Sequence, residues 1–118
     1  MKKILIADDY DEIRWLIRLS LDALGCEMIE AKTGQQAHDL ALLHSPDVLL
    51  LDVMMPGQMD GLQVCQALKV ALPNLKVILL TARGQQADLE EGIQAGADAY
   101  LVKPFSPLEL LELVKSFV

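Results

Sequence analysis

The sequence predicts a doubly wound α/β fold: a five-stranded parallel sheet, order 2-1-3-4-5, flanked by five helices. Three observations point there. Short apolar runs alternate with segments of helical periodicity five times along the chain. The strongest runs, such as Val48-Leu49-Leu50-Leu51, have no polar face, as expected of strands buried on both sides. Capping residues, glycines and prolines punctuate nearly every junction.

Taken in order, Ile4-Leu5-Ile6-Ala7 is the first strand. Ile13, Leu16, Ile17, Leu21 and Leu24 form a helical stripe over 11–24, and Gly25 ends that helix. Residues 27–31 make a weaker strand. It carries Glu27 and Glu30, with Lys32 just beyond, which places it at a sheet edge. Thr33-Gly34-Gln35-Gln36 has capping-box spacing and opens a second helix that closes near Ser45-Pro46. The third strand is 48–51. Asp60, with Gln63 three residues on, opens a third helix that ends near Pro73. Val77-Ile78-Leu79-Leu80 is the fourth strand, and a helix over 85–95 stops at Gly96. Ala99 to Val102 is the fifth strand. Ser106-Pro107-Leu108-Glu109 combines a capping box with proline at the first helical position, and its helix runs to the end. Parallel strands joined by right-handed crossovers follow from this alternation.

The 118 residues suit one domain over 1–118, and at 53% hydrophobic the chain can bury a core without disulfides. No apolar stretch reaches the roughly 20 residues that span a bilayer. Met1-Lys2-Lys3-Ile4 resembles the start of an export signal, but Asp8 and Asp9 break the apolar run, so a cytoplasmic protein is expected. Cys26 and Cys65 have no metal-ligand spacing and read as reduced thiols. The net charge of −7 argues against direct contact with nucleic acid. His38 and His44 fall on the second helix, away from any cluster, and read as solvated.

In a parallel sheet the strand C-termini share one edge, and ligands bind there. The first strand ends in Asp8-Asp9, the third in Asp52, the fourth in Thr81 and the fifth in Lys103. Singly these are ordinary: an acid pair before a helix is often a cap, and a lone lysine is often just exposed. Together they bring three carboxylates, a hydroxyl and an amine to one place. Acids so close repel each other unless a cation sits among them, and oxygen ligands suit Mg²⁺ or Mn²⁺. A phosphoryl group explains the other two, because its charged oxygens must be met from several sides by metal, Lys103 and Thr81. Asp52, at the centre, is then the nucleophile that accepts the group.

The segments "ILIADD" (4–9), "LLLDVMMPGQMDG" (49–61), "VILLTA" (77–82) and "GADAYLVKPFSPLEL" (96–110) carry a resemblance along the whole chain. It resembles the receiver domain of two-component response regulators, a CheY-like, flavodoxin-like fold. The resemblance implies that Asp52 is phosphorylated by a sensor histidine kinase or a phosphotransfer protein. Asp8, Asp9, Asp52 and the Met54 backbone carbonyl match the metal ligands. Thr81 and Lys103 match the pair that contacts the phosphoryl group. Tyr100 matches the switch aromatic, and the Lys103-Pro104 bond is expected to be cis. Phosphorylation would reshape the face of the fourth helix, fifth strand and fifth helix for a downstream effector protein or domain. No turnover of an independent substrate is expected beyond phosphoryl transfer to itself and slow autodephosphorylation.

Some positions depart from the family. The loop after Asp52 is one residue longer than the commonest form. Leu89, Ala99 and Leu113 stand where the winged-helix branch has the charged pairs that join two receivers, so dimerisation in that manner is not expected. Leu89, Leu108 and Leu113 suggest an apolar docking patch, and Trp15 and Leu19 a second exposed surface. Met54 and Arg83 flank the route of an attacking water, so their bulk is expected to slow loss of the phosphoryl group. An aspartate-nucleophile hydrolase needs an acid two residues after Asp52, where Met54 stands. A flavin carrier needs a phosphate loop where Asp8-Asp9-Tyr10-Asp11 stands. A docking module that works without phosphorylation remains the alternative to the switch.

Overall fold

The computed structural model describes residues 1–82 and 86–118, and the side chains of all of these except 86–89. Its strands are β1 (Lys3–Ala7), β2 (Glu27–Ala31), β3 (Val48–Asp52), β4 (Lys76–Ala82) and β5 (Ala99–Lys103). Its helices are α1 (Asp11–Leu21), α2 (Gly34–His44), α3 (Gly61–Ala71), α4 (Gln86–Gln94) and α5 (Pro107–Lys115). All four strand pairings are parallel, and the sheet order is β2-β1-β3-β4-β5. The expected order and the edge position of the acidic β2 are therefore both present.

Alternation along each strand separates two cores. Ile4, Ile6, Val48, Leu50, Ile78 and Leu80 pack with Ile17 and Leu21 of α1 and Leu110 and Val114 of α5. Leu5, Leu49, Leu51, Val77 and Leu79 face the other way, onto Ala37 and Ala41 of α2 and Val64, Cys65 and Leu68 of α3. Every residue of β3 is buried, so the central strand sets its own last residue, Asp52, against the protein interior.

The helix ends follow the sequence closely. Asp60 and Ser106 each complete a capping box, with Gln63 and Glu109 respectively. Thr33 completes only half of one. Its hydroxyl accepts from Gln36 N–H, but the Gln36 side chain turns to accept from Lys32 N–H at 2.7 Å instead. A 3-10 turn, Asp22–Leu24, extends α1 to Gly25, whose φ of 67° suits a residue without a Cβ. Helix α5 stops at Lys115, three residues short of the expected end.

Candidate functional site

Strand register brings the polar ends together. Asp52 lies beside Leu80 in the sheet, Thr81 beside Val102, and Ala82 beside Lys103. Asp8, one residue past β1, is tied to β2 by its own N–H donating to the Ala31 carbonyl at 3.2 Å. Asp8, Asp9 and Asp52 each place a carboxylate oxygen within 4.8 Å of the others. Lys103 Nζ donates to Asp8 Oδ2 at 2.8 Å and lies 3.4 Å from Asp52 Oδ2. The Lys103-Pro104 peptide is cis, as expected.

Ordinary structural roles do not account for these side chains. Neither acid of the Asp8-Asp9 pair caps α1: the N-cap position is Tyr10, with no side-chain bond to the helix. Asp8 Oδ1 instead accepts from Tyr10 N–H at 2.9 Å. Asp9 Oδ1 and Thr81 Oγ1 are buried with no hydrogen-bond partner, a costly state unless a ligand satisfies them. Thr81 is 1% exposed and Asp8 fully buried. Asp9, Met54, Met55, Pro56, Asp60, Leu62 and Glu91 line the opening above the acids.

The electrostatics record the crowding. Burial pushes the Asp52 carboxyl up to about 6; Lys103 and the Met54 N–H oppose the rise, and the Asp8 charge adds to it. For Lys103, burial lowers the ammonium's pKa, but Asp8 and Asp52 outweigh burial and hold it above its ordinary value. A single ammonium thus serves two buried acids. The donor set that remains is all oxygen, with one buried carboxylate oxygen unsatisfied, and it fits a small hard cation such as Mg²⁺.

The loop after Asp52 is pinned at both ends. Met54 N–H donates to Asp52 Oδ1 at 3.1 Å, and Gly61 N–H donates to the Val53 carbonyl at 3.0 Å. A Cβ on Gly61 would lie 2.2 Å from the Asp52 carbonyl oxygen and 2.7 Å from Val53 Cα. Backbone cannot yield as a side chain can. Gly61→Ala is expected to cost about 1–3 kcal/mol in a urea melt, as overpacking does, and to move α3 away from the strand end.

Other candidates from the sequence fall elsewhere. The Tyr100 side chain points outward, 49% exposed. Trp15 and Leu19 are exposed together on α1. Leu113 is half-buried against the α1/α5 core and Leu108 is exposed; the Leu89 side chain and Arg83 lie outside the described residues. Neither histidine is fully solvated: His38 and His44 are each half-buried, and His38 Nδ1 sits 3.2 Å from Asp39. Cys26 and Cys65 are free thiols.

Sequence reasoning missed Arg14. It is almost fully buried, and its guanidinium donates to the Asp8 backbone carbonyl, to Glu30 of β2 and to Asp11. The available signal was its spacing: Arg14, Ile17 and Leu21 form the buried row of α1, so an arginine occupies a core position.

Comparison with known proteins agrees with this architecture. The family model for the response regulator receiver domain matches residues 4–115. The transcriptional regulatory protein SrrA of Staphylococcus aureus is 42% identical over 116 residues, which is 98% of this chain and 47% of that protein. The chain thus spans about half the length of the curated relatives it matches. Among solved structures, the REC domain of AraT, a response regulator from Geobacillus stearothermophilus, aligns with a TM-score of 0.90 at 39% identity. That alignment covers 98% of this chain and 92% of the AraT chain. The BeF3-activated DrrB receiver domain aligns with a TM-score of 0.88 at 35% identity, over 99% of this chain and 97% of the other.

Proposed function

The chain belongs to the response regulator receiver domain family, and from that premise we propose that it is a phosphorylation-dependent switch centred on Asp52. The observation that carries the reading is the unsatisfied Thr81 hydroxyl and Asp9 oxygen, buried around a carboxylate that burial has made costly to ionise. A phosphoryl group and a divalent ion would satisfy both.

The residues divide the work. One Asp52 oxygen attacks phosphorus; the new O–P bond forms as the bond to the donor's histidine nitrogen breaks, and the imidazole leaves. Lys103 meets one phosphoryl oxygen with its ammonium, and the Thr81 hydroxyl donates to another. Asp8, Asp9, Asp52 and the Met54 carbonyl would hold Mg²⁺ or Mn²⁺. Bound there, the ion supplies positive charge to the entering and leaving oxygens. The residues 1–118 act as one receiver unit, and no independent substrate is turned over.

The donor is a sensor histidine kinase or phosphotransfer protein, and the receiver of the signal is a downstream effector protein or domain. The same reading places the switch in the cytoplasm; no helix among the described residues is long and apolar enough to cross a membrane. As Thr81 turns toward the phosphoryl group, Tyr100 moves inward, and the α4-β5-α5 face changes shape. Moving a population from 1:99 to 99:1 needs about 5.5 kcal/mol, which a few charge-assisted hydrogen bonds of roughly 1.5–3 kcal/mol each can supply. Support for activation by a phosphoryl-like group comes from the DrrB neighbour, solved as a BeF3-activated form.

The test is acetyl phosphate with Mg²⁺, read by intact mass. The chain is expected to gain one phosphoryl group, and EDTA to prevent it. No gain leaves a docking module as the reading; turnover of phosphate esters would favour a hydrolase. Mg²⁺ is also expected to raise stability, by about 2.7 kcal/mol at one hundred times its dissociation constant. Urea melts with Mg²⁺ and with EDTA measure this, and Asp9→Asn is expected to remove most of the difference.

A further inference from the structure

Arg14 takes no part in the chemistry proposed above, yet among the described residues it is one of four buried polar side chains outside the apolar core, with Asp8, Asp52 and Thr81. We propose that Arg14 is a positioning residue for the cation site, clamping the Asp8 backbone to the edge strand β2 so that the Asp8 and Asp9 carboxylates are held ready for a divalent ion. This rests on the reading of Asp8, Asp9 and Asp52 as metal-binding acids.

The geometry is specific. Arg14 Nη1 donates to the Asp8 carbonyl oxygen at 2.6 Å. Arg14 Nε donates to Glu30 Oε1 at 2.9 Å, and Nη2 pairs with Asp11 in the first turn of α1. Glu30 is shared with Arg18 at 3.3 Å, which fixes the carboxylate from a second side. Asp8 N–H already bonds the Ala31 carbonyl of the same strand. The two bonds hold the Asp8 peptide from both its N–H and its C=O side, and both lead to β2. Asp8's carboxylate, meanwhile, is fully buried and bonded to Lys103.

An ordinary ion pair would not need this arrangement. A guanidinium loses hydration when buried, and its charge is met here by Asp11 and Glu30, which hold its pKa above the usual value despite burial. The third donor direction is then free to bind a neutral carbonyl, which no charge balance demands. Arginine's planar fork serves three acceptors at once; lysine's single ammonium cannot reproduce that. Partners that orient a metal ligand typically contribute 10–100-fold in metal affinity, although they never touch the ion.

The test measures Mn²⁺ binding to the purified chain by loss of the free-ion EPR signal, beside the Mg²⁺ dependence of phosphorylation by acetyl phosphate. Arg14→Met is expected to weaken Mn²⁺ binding about 10-fold or more. It is also expected to raise the Mg²⁺ concentration at half-maximal rate while leaving the rate at saturating Mg²⁺ close to that of the wild type. Glu30→Gln is expected to shift both in the same direction by a smaller factor. Ile17→Ala, one turn along the same buried row, lowers stability without touching the Asp8 turn and is expected to leave the Mg²⁺ midpoint unchanged.

If Arg14→Met does not fold, Arg14→Lys and Glu30→Gln carry the test, and wild-type affinity in both overturns the proposal. A folded Arg14→Met with unchanged Mn²⁺ affinity overturns it, as does an Ile17→Ala shift as large as that of Arg14→Met. Wild-type protein that binds no Mn²⁺ removes the metal-binding reading itself, and the proposal with it.

Discussion

Lys103→Met is expected to destabilise the protein by about 3 kcal/mol at pH 7.5 in buffer without divalent ions, the lower end of the cost of breaking a buried ion pair. Asp8 is fully buried and Asp52 nearly so, and Lys103 Nζ reaches both, at 2.8 and 3.4 Å. Methionine keeps the stem's apolar packing and removes only the charge, so the loss measures the two orphaned acids. The deficit depends on pH in one direction. Without the ammonium, the folded-state pKa of Asp52 rises further above its unfolded value of 3.8. Such an acid loses stability as pH rises from its unfolded pKa, and the cost is complete once pH exceeds the folded one. The mutant's deficit is therefore expected to shrink as pH falls from 7.5 to about 6, where the wild-type carboxyl also takes up its proton, and to stay level below that. Mg²⁺ is expected to restore part of it at neutral pH, because a second cation then sits among the acids. Urea melts across this pH range, with and without Mg²⁺, measure both effects.

Asp52→Asn should separate function from folding in the opposite sense. All phosphorylation by acetyl phosphate is expected to disappear, since the amide is no nucleophile for phosphorus. At the same time the fold should become more stable. Asp52 is held at about 6 against 3.8, so the wild type carries a penalty for ionising it. That shift corresponds to an upper bound near 3 kcal/mol, and water at the pocket mouth screens it to about 1–2 kcal/mol. The sign follows from proton binding. Between pH 4 and 6 the native state holds the extra proton, so wild-type stability falls as pH rises through that window. The gain from asparagine is accordingly expected to be absent below pH 4 and complete above pH 6. Thermal melts of both proteins at pH 4, 5, 6 and 8, without divalent ions, check this. A site selected for stability alone would lose stability on this substitution.

The legible parts of the molecule are those where residue type alone constrains the backbone. The order 2-1-3-4-5 followed from Glu27 and Glu30 on a strand that cannot lie in the middle, and that strand is at the edge. Asp60 and Ser106 opened helices at the expected residues, because a short side chain three positions before a glutamine or glutamate has little else to bond. Parallel topology did the rest, since it forces every strand end to one edge. Asp8, Asp9, Asp52 and Lys103 lie together for that reason, and Thr81 follows directly on the residue paired with Asp52 in β4.

What stayed hidden depends on where a side chain turns. Gln36 matched a capping box by spacing, yet it bonds Lys32 rather than Thr33, one residue away. Arg14 does not stand out in the sequence, because arginines are seldom buried. Only the fold shows that the row through Ile17 and Leu21 brings it beneath the Asp8 turn. Leu113 had been grouped with exposed leucines, but α5 rotates it half into the core. Exposure of a single helical residue depends on a rotation of tens of degrees, which composition does not encode.

The central claim is that Asp52 itself carries the phosphoryl group. After incubation with acetyl phosphate and Mg²⁺, borohydride converts an aspartyl phosphate to homoserine, and peptide mapping locates it. The account predicts homoserine at position 52 and at no other acid, including Asp8 and Asp9. Homoserine elsewhere, or an unmodified Asp52 in a protein that has gained a phosphoryl group, would contradict it.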